Sequence, residues 1–332
     1  MTQKTVKTRI CLISDTHTST PNPPQATSNA YRYPLPKADI LLHAGDITKV
    51  GYKHEHEEIL AMLKDADAEL KIVIAGNHDI TLDEEYYNAG GNRRHSRRMG
   101  YTAALDRNGD QNHAGDAPLE DPKAIKALYT HPDTLAAGIR YLDEGTYTFT
   151  LSTGARFTIY ASPYSPEFCN WAFAYDRAVD RYNPSLPVSR FQAPNPIPSH
   201  PAVDLMLTHG PPYGIFDTVQ GSKAHVGCEN LLRATKRARP RLHVFGHIHE
   251  AYGGGRMDWK SPTKQVEEIR GDPESMLEDR CVYVDASEGG KQPLRVGEET
   301  LFVNASVVSI RYHAVNAPWL VDLDLPVGGE KW

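Results

Sequence analysis

The sequence predicts an α/β fold, and three patterns in the chain lead to that prediction. Short apolar runs rich in Ile, Leu and Val end in polar or glycine-containing turns, as buried strands do. Apolar residues at helical spacing over 55–66 separate the second run from the third. Another helical pattern, over 227–237, precedes a later strand. Strand, helix and strand in that order indicate a βαβ crossover.

The predicted elements form a single domain over residues 1–332. Two long polar segments with little periodicity, 81–121 and 253–297, are predicted to be insertions, because structureless connections of that length are uncommon in compact domains. The proline-rich stretch 183–201 is predicted to be an irregular connection. The predicted strands lie at 9–14, 40–44, 71–75, 156–160, 203–208, 242–245, 300–305 and 319–323.

Composition and charge narrow the classes of partner. The chain has 332 residues, of which 40% are hydrophobic and 23% charged, as in globular proteins. Its net charge of −6 would repel a nucleic-acid backbone, so we expect no general nucleic-acid binding and a small substrate instead. The sequence leaves the oligomeric state open.

The cysteines and the N-terminal residues bear on where in the cell the protein is expected. The cysteines contain no Cys-x-x-Cys pair, so we expect reduced packing residues and not a zinc ribbon or a redox pair. The apolar run 10–13 is far too short for a signal peptide or a membrane span. We therefore expect a soluble cytoplasmic protein with no membrane partner. The cysteines are Cys11, Cys169, Cys228 and Cys281.

Polar side chains follow the first three predicted strands. Asp15 and His17 come directly after the first strand, and residues two apart in extended backbone point to one side. Asp46 follows a glycine after the second strand, where one carboxylate can contact two cations. The third strand ends in Gly-Asn-His-Asp at 76–79, which brings Asn77 into the same pattern. Each motif alone has an ordinary structural explanation, such as a helix N-cap at Asp46.

Two later strands repeat the pattern. His209 follows the strand at 203–208, and Gly-His-Ile-His at 246–249 follows the strand at 242–245. Open α/β sheets bind ligands at the carboxyl ends of their strands. Five strands ending in Asp, Asn or His therefore predict one shared site.

The five motifs together resemble the signature of the calcineurin-like metallophosphoesterases. That signature is Asp-x-His, Gly-Asp, Gly-Asn-His-Asp/Glu, His and Gly-His-x-His, and every element is present here in order. Residues 207–212, 242–252, 304–306 and 318–319 look like the small metallophosphoesterase-domain-containing subgroup related to the vertebrate brain proteins. The resemblance implies a four-layer α/β/β/α sandwich of two mixed sheets. It does not cover the two predicted insertions.

The resemblance also implies two sets of metal ligands that share one carboxylate. The oxygen and nitrogen donors suit manganese, iron or zinc better than calcium, and the metal identity stays open. Two such cations would activate a bridging water for in-line attack on phosphorus. The first set is Asp15, His17, Asp46 and His249, and the second is Asp46, Asn77, His209 and His247.

Two residues of the third motif are assigned to catalysis. His78 follows a predicted ligand but is no ligand in this family, so the resemblance places it at the leaving-group oxygen as proton donor or electrostatic clamp. Asp79 is predicted to orient the His78 ring through its second nitrogen.

Four further residues are candidates for substrate binding. Arg93 and Arg94 belong to a basic run that either binds substrate phosphate or forms a solvated face. His225 stands after the His209 motif, from where an imidazole could reach the site. Tyr164, like Trp171 and Phe173, is either core or the wall of a substrate pocket. His43 is predicted to pack near the site.

The function predicted from these residues is metal-dependent hydrolysis of small phosphodiesters, with cyclic nucleotides as candidate substrates. A phosphomonoesterase and a protein phosphatase use the same kind of centre. A non-catalytic binding module is a further alternative, since such folds can lose catalysis. The complete ligand set and the presence of His78 favour an enzyme.

Overall fold

A computed structural model describes residues 4–93, 119–184, 191–222, 224–263 and 265–328. Its strands are β1 (Thr5–Ile13), β2 (Ile40–His43), β3 (Leu70–Val73), β4 (Ile139–Tyr141), β5 (Gly145–Thr150), β6 (Arg156–Ser162), β7 (Ser165–Pro166), β8 (Ala174–Tyr175), β9 (Leu205–Thr208), β10 (Leu242–Phe245), β11 (Gly253–Asp258), β12 (Val266–Ile269), β13 (Val282–Asp285), β14 (Glu299–Asn304) and β15 (Trp319–Pro326). Its α-helices are α1 (Lys53–Asp65), α2 (Glu84–Tyr86), α3 (Pro122–Thr130), α4 (Pro132–Ala136), α5 (Glu229–Ala238) and α6 (Pro273–Asp279). Short helical turns cover Ile80–Leu82, Tyr87–Gly91 and His249–Ala251.

Two mixed sheets form the centre of the molecule. The first has the strand order β13-β15-β1-β2-β3-β4, with β15 antiparallel to β1 and the other neighbours parallel. The second has the order β12-β11-β14-β10-β9-β6-β5, in which β14, β10, β9 and β6 are parallel. This arrangement confirms the predicted α/β class.

The alternation of side chains in each strand builds the layers. In β1, Ile10 and Leu12 face a core shared with the second sheet, while Cys11 and Ile13 face a second core that includes apolar residues of α1 and α3. On the far side of the second sheet, Met206 of β9 packs with apolar residues of α5. The central strands of both sheets are therefore buried on both faces, which gives the predicted α/β/β/α sandwich.

The eight predicted strands are all present, with ends shifted by a few residues. The structure corrects the prediction of an irregular segment at 253–297, because it contains β11, β12, α6 and β13. These strands extend both sheets, and glycines at the start of β11 obscure the strand pattern. Whether the segment is an insertion relative to the family stays a prediction.

The other irregular segments lie partly outside the described residues. Of 81–121, residues 94–118 are not described, and the described part forms short helical turns. The described parts of 183–201 contain neither helix nor strand. Cys11, Cys228 and Cys281 are buried and unpaired, whereas Cys169 is exposed and so is not the packing residue expected. None of the helices in the described ranges is long and apolar enough to span a bilayer.

Candidate metal centre

The predicted ligands meet at one edge of the two sheets. Asp15 follows β1, Asp46 follows β2 and Asn77 follows β3, all in the first sheet. His209 follows β9 and the pair at 247 and 249 follows β10, in the second sheet. Backbone hydrogen bonds join the loops, since the Asp15 amide donates to the Gly45 carbonyl at 2.9 Å.

One buried group contains Asp15, His17, Asp46 and His249. A ligand atom from each lies within 4.8 Å of the others. The Nε2 atoms of His17 and His249 are 3.2 Å apart, and His249 Nε2 is 3.4 Å from Asp15 Oδ1. This is the first predicted ligand set, and its donors converge on a volume the size of one cation.

A second group lies beside the first. Asn77 Oδ1 is 2.9 Å from His209 Nε2 and 2.7 Å from His247 Nδ1. Asp46 belongs to both groups, because its Oδ1 is 3.4 Å from His209 Nε2 and its Oδ2 is 3.6 Å from His17 Nε2. One carboxylate therefore turns one oxygen toward each group, as a bridging ligand would.

The protonation of the imidazoles fits a pair of cations. His209 Nδ1 lies 2.9 Å from the Ala44 carbonyl and His17 Nδ1 lies 3.1 Å from the Thr48 carbonyl, so each Nδ1 carries the proton that it donates. In a neutral ring the Nε2 lone pair then faces other lone pairs, including that of Asn77 Oδ1. Such lone-pair contacts are repulsive unless a cation lies between them. The residues present thus fit a metal.

Burial keeps the imidazoles neutral, as a metal requires, but disfavours the charged form of Asp46. Burial lowers the pKa of His17, and neighbouring imidazoles lower it further. Burial also lowers the pKa of His209, and lowers that of His247 to about 3. Burial and the charge of Asp15 raise the pKa of Asp46 well above its usual value. A cation would stabilise the Asp46 carboxylate and bind the neutral rings.

The backbone at the strand ends is strained in a way that aims the ligands. Asp15, Asp46 and His247 have φ angles of 52°, 52° and 69°, which is left-handed backbone that few non-glycine residues adopt. Gly76 is required for close packing, since a Cβ there would lie 2.3 Å from Asp46 Oδ1. Strain of this kind is stored where surrounding contacts fix it.

His43 lies beneath the first group, as predicted. The Gly45 amide donates to its Nδ1 at 3.3 Å, so the proton is on Nε2, which donates to Thr16 Oγ1 at 2.9 Å. The ring therefore ties the loop after β1 to the loop after β2.

His78 lies next to the two groups without belonging to either. Its backbone N–H donates to Asp46 Oδ1 at 2.8 Å, and its ring Nδ1 donates to the Lys49 carbonyl at 2.8 Å. The ring contacts His17 edge-on at 4.7 Å and stacks on Trp171 at 3.9 Å. Burial lowers the pKa of His78 to about 3. Within the described residues, the ring Nε2 makes no hydrogen bond.

The prediction that Asp79 orients the His78 ring is wrong, because the Lys49 carbonyl occupies the second ring nitrogen. Asp79 instead accepts four hydrogen bonds of 2.7–3.1 Å, from the Ile47, Thr48 and Gly76 amides and the Thr48 hydroxyl. It therefore joins the loops after β2 and β3. Burial raises its pKa to about 6, and these hydrogen bonds act in the opposite direction.

The structure separates the four candidates for substrate binding. Tyr164 packs beneath Arg181, whose guanidinium carbon lies 3.5 Å from its ring centre, and edge-on against Phe173, which supports the core alternative. Arg93 is exposed and its role stays a prediction, and Arg94 lies outside the described residues. His225 lines a cavity together with His249.

Two aromatic residues complete the surroundings of the centre. Trp171, an open alternative in the sequence, stacks on His78. Tyr312 has no motif that could reveal it. Its ring lies edge-on to His17 at 4.8 Å and to His249 at 5.2 Å. Burial raises the pKa of Tyr312 to about 12, so its hydroxyl is neutral.

Comparison with known proteins identifies the class of protein. The family described as calcineurin-like phosphoesterase matches residues 8–251, so the chain belongs to that family. This agrees with the resemblance seen in the five motifs. Membership indicates a metal-dependent phosphoric ester hydrolase.

Particular relatives carry the same domain. The chain is 30% identical over 320 residues to metallophosphoesterase domain-containing protein 1 of Homo sapiens and of Mus musculus, covering 96% of this chain and 72% of each relative. The solved structure of phosphopantetheinyl hydrolase from Mycobacterium tuberculosis aligns with 80% of this chain and 96% of that chain, with a TM-score of 0.36 and 15% identity. A likeness that distant bears on no conclusion about function.

Proposed function

We propose that the protein hydrolyses small phosphodiesters with two metal ions held by the two ligand groups. Manganese, iron and zinc all suit this mixture of carboxylate, amide and imidazole donors. When bound, two such cations would polarise the phosphoryl oxygens and lower the pKa of coordinated water. The convergence of seven ligands on one edge supports the proposal.

The proposed preference for a diester rests on the uncharged side chains beside the ligand imidazoles. In the described part of the chain, the side chains in ring contact with the ligand imidazoles are His78 and Tyr312, with Trp171 stacked behind. The shifts in pKa leave both His78 and Tyr312 uncharged. A diester carries one negative charge, whereas a monoester carries nearly two at neutral pH. Because these contacts add no cationic side chain to the charge of the metals, the less charged substrate is the better match.

His78 is proposed to contact the leaving-group oxygen through Nε2. The Lys49 carbonyl holds the ring in one tautomer and Trp171 fixes its plane, so Nε2 has a defined direction. Burial disfavours the imidazolium. Proton donation therefore depends on the substrate's own negative charge, which stabilises a proton on Nε2.

Cyclic nucleotides are proposed as candidate substrates within this class, because a cyclic phosphate is a compact diester. The test is a comparison of the manganese-loaded protein on bis(4-nitrophenyl) phosphate, 4-nitrophenyl phosphate and cyclic AMP. We expect a higher kcat/KM for the aryl diester than for the monoester. A higher value for the monoester would reverse the assignment, and no turnover with two bound ions would indicate a binding module.

A further inference from the structure

A large cavity opens beside the metal centre and shares His249 with it. Its volume is about 1170 Å³. Small-molecule sites usually measure about 300–1,000 Å³, so this one has room for an organic group of metabolite size. One part of the wall includes Val219 and His225, and a second part includes Val266 and Ile269 of β12. That second part belongs to the segment at 253–297, to which the sequence assigns no role.

His225 is held rigidly at the cavity wall. Its Nδ1 lies 2.6 Å from Oδ1 of Asp217, which is completely buried. The second oxygen of Asp217 accepts from the Gly214 and Gly227 amides, each at 2.9 Å. With Nδ1 engaged, Nε2 is the ring atom available to a ligand, and 42% of the His225 side chain is exposed. A fixed imidazole in a cavity wall is a specific hydrogen-bonding group.

The cavity also offers aromatic surface. Phe216 and Tyr252 are half-buried and line it. Phe216 packs directly on β11, where a Cβ at Gly253 would lie 2.9 Å from its ring. The glycine therefore keeps the aromatic ring close to the strand. Aromatic walls with a few placed polar groups are typical of sites for ring-bearing ligands.

The described part of the lining has no net positive charge. Among the lining residues that the structure describes, the carboxylates of Glu250 and Glu268 accompany one guanidinium, that of Arg270. Arg270 also lies 3.2 Å from Glu268. A wall without net positive charge favours an uncharged group over an additional anion.

We propose that this cavity binds one organic substituent of the phosphodiester, an uncharged ring-bearing alcohol of nucleoside size, while the phosphoryl group lies at the metal centre. The choice of occupant follows from continuity with the centre through His249, from the cavity volume, and from an aromatic lining whose described residues carry no net positive charge. His225 Nε2 hydrogen-bonds to this substituent. The inference rests on the proposed function, because it assigns a subsite to the same substrate.

The test compares two esters that share a 4-nitrophenolate leaving group and differ in the other substituent. One is thymidine 5′-(4-nitrophenyl phosphate) and the other is methyl 4-nitrophenyl phosphate. We expect the ratio of their kcat/KM values to be on the order of tenfold in favour of the thymidine ester. Val219→Trp places an indole in the part of the cavity next to His225 and should bring the ratio close to one. Val296→Trp, at an exposed position outside the lining, is the matched control and should retain the ratio.

A second variant and a second measurement distinguish the loss of the subsite from a folding defect. His225→Ala removes one hydrogen bond and should lower the ratio by about fivefold. Calorimetric titration with thymidine, which has no phosphate, should show binding to the wild-type protein and none to Val219→Trp. A ratio that Val219→Trp and His225→Ala both leave unchanged would overturn the subsite.

The proposed phosphodiesterase activity and the proposed subsite can be refuted independently. Hydrolysis of both esters with equal efficiency and no thymidine binding would remove the subsite and retain the phosphodiesterase. Thymidine binding without hydrolysis of either ester would retain the cavity site and remove the proposed function.

Discussion

Replacing His78 by alanine should separate catalysis from metal binding. The contact that joins residue 78 to the bridging ligand is a backbone bond, from its N–H to Asp46 Oδ1 at 2.8 Å, and alanine retains it. The lost groups are the ring, its hydrogen bond to the Lys49 carbonyl and its stacking on Trp171. These contacts are worth about 1–3 kcal/mol of stability, so the variant should fold. Both ions should remain bound.

The loss of turnover in His78→Ala should be large and should depend on the leaving group. Positioned proton transfer typically contributes about 10²–10⁴-fold, which is about 3–5 kcal/mol of transition-state free energy. A nitrophenolate departs without a proton, whereas an alkoxide does not. A diester with an alkyl leaving group should therefore lose more activity than a 4-nitrophenyl diester.

The assay pairs metal analysis of the purified variant with rates for both diesters, measured by product formation. His43→Ala is the matched control, because His43 ties two ligand loops together through Thr16 Oγ1 and the Gly45 amide. That variant should lose metal. An emptied metal site in His78→Ala, or equal slowing of both diesters, would refute the reasoning.

Three other substitutions test the remaining assignments. Asp46→Asn should weaken both ions, because one oxygen faces His209 and the other faces His17; full retention of one ion in a metal titration would contradict the bridging role. Asp79→Asn places an NH₂ group against backbone donors, so the melting temperature and the metal affinity should fall together. A lower kcat at an unchanged melting temperature would instead indicate a direct catalytic role for Asp79. Tyr312→Phe should retain fold and metal but lower kcat/KM about tenfold through the lost neutral hydroxyl, and unchanged kinetics would show that Tyr312 only packs.

The parts of the fold that could be predicted were those with a local pattern. β1 ends in the apolar run 10–13, β10 is apolar at three of its four positions, and α1 has an apolar face, so each is visible in a short window. β11 begins with three glycines and is a strand only because it pairs with β12 and β14. α3 begins at Pro122 and is capped by Asp121, and this Asp-Pro signal stands at the end of the long polar segment.

The candidate site also contains residues that the sequence predicts and residues that it does not. Ligands could be predicted because each stands at the carboxyl end of a strand, where the topology of an α/β sheet brings them together. The hydrogen-bond partners of Asp79 could not be predicted from the sequence. Four donors from two loops bind this one carboxylate, and only the folded geometry brings them to it. Tyr312 belongs to a loop after β14 whose approach to His17 is purely tertiary. Residues placed at the site by such tertiary contacts have no recognisable motif in the sequence.

The central claim is a two-metal phosphodiesterase, and one titration tests it most directly. Metal-free protein is titrated with Mn²⁺ while the hydrolysis of bis(4-nitrophenyl) phosphate and the bound metal are followed together. The structure predicts that activity rises until two ions are bound per chain and then stays constant, because the two ligand groups share Asp46. Saturation of activity at one ion, or two bound ions without any hydrolysis, would contradict the account.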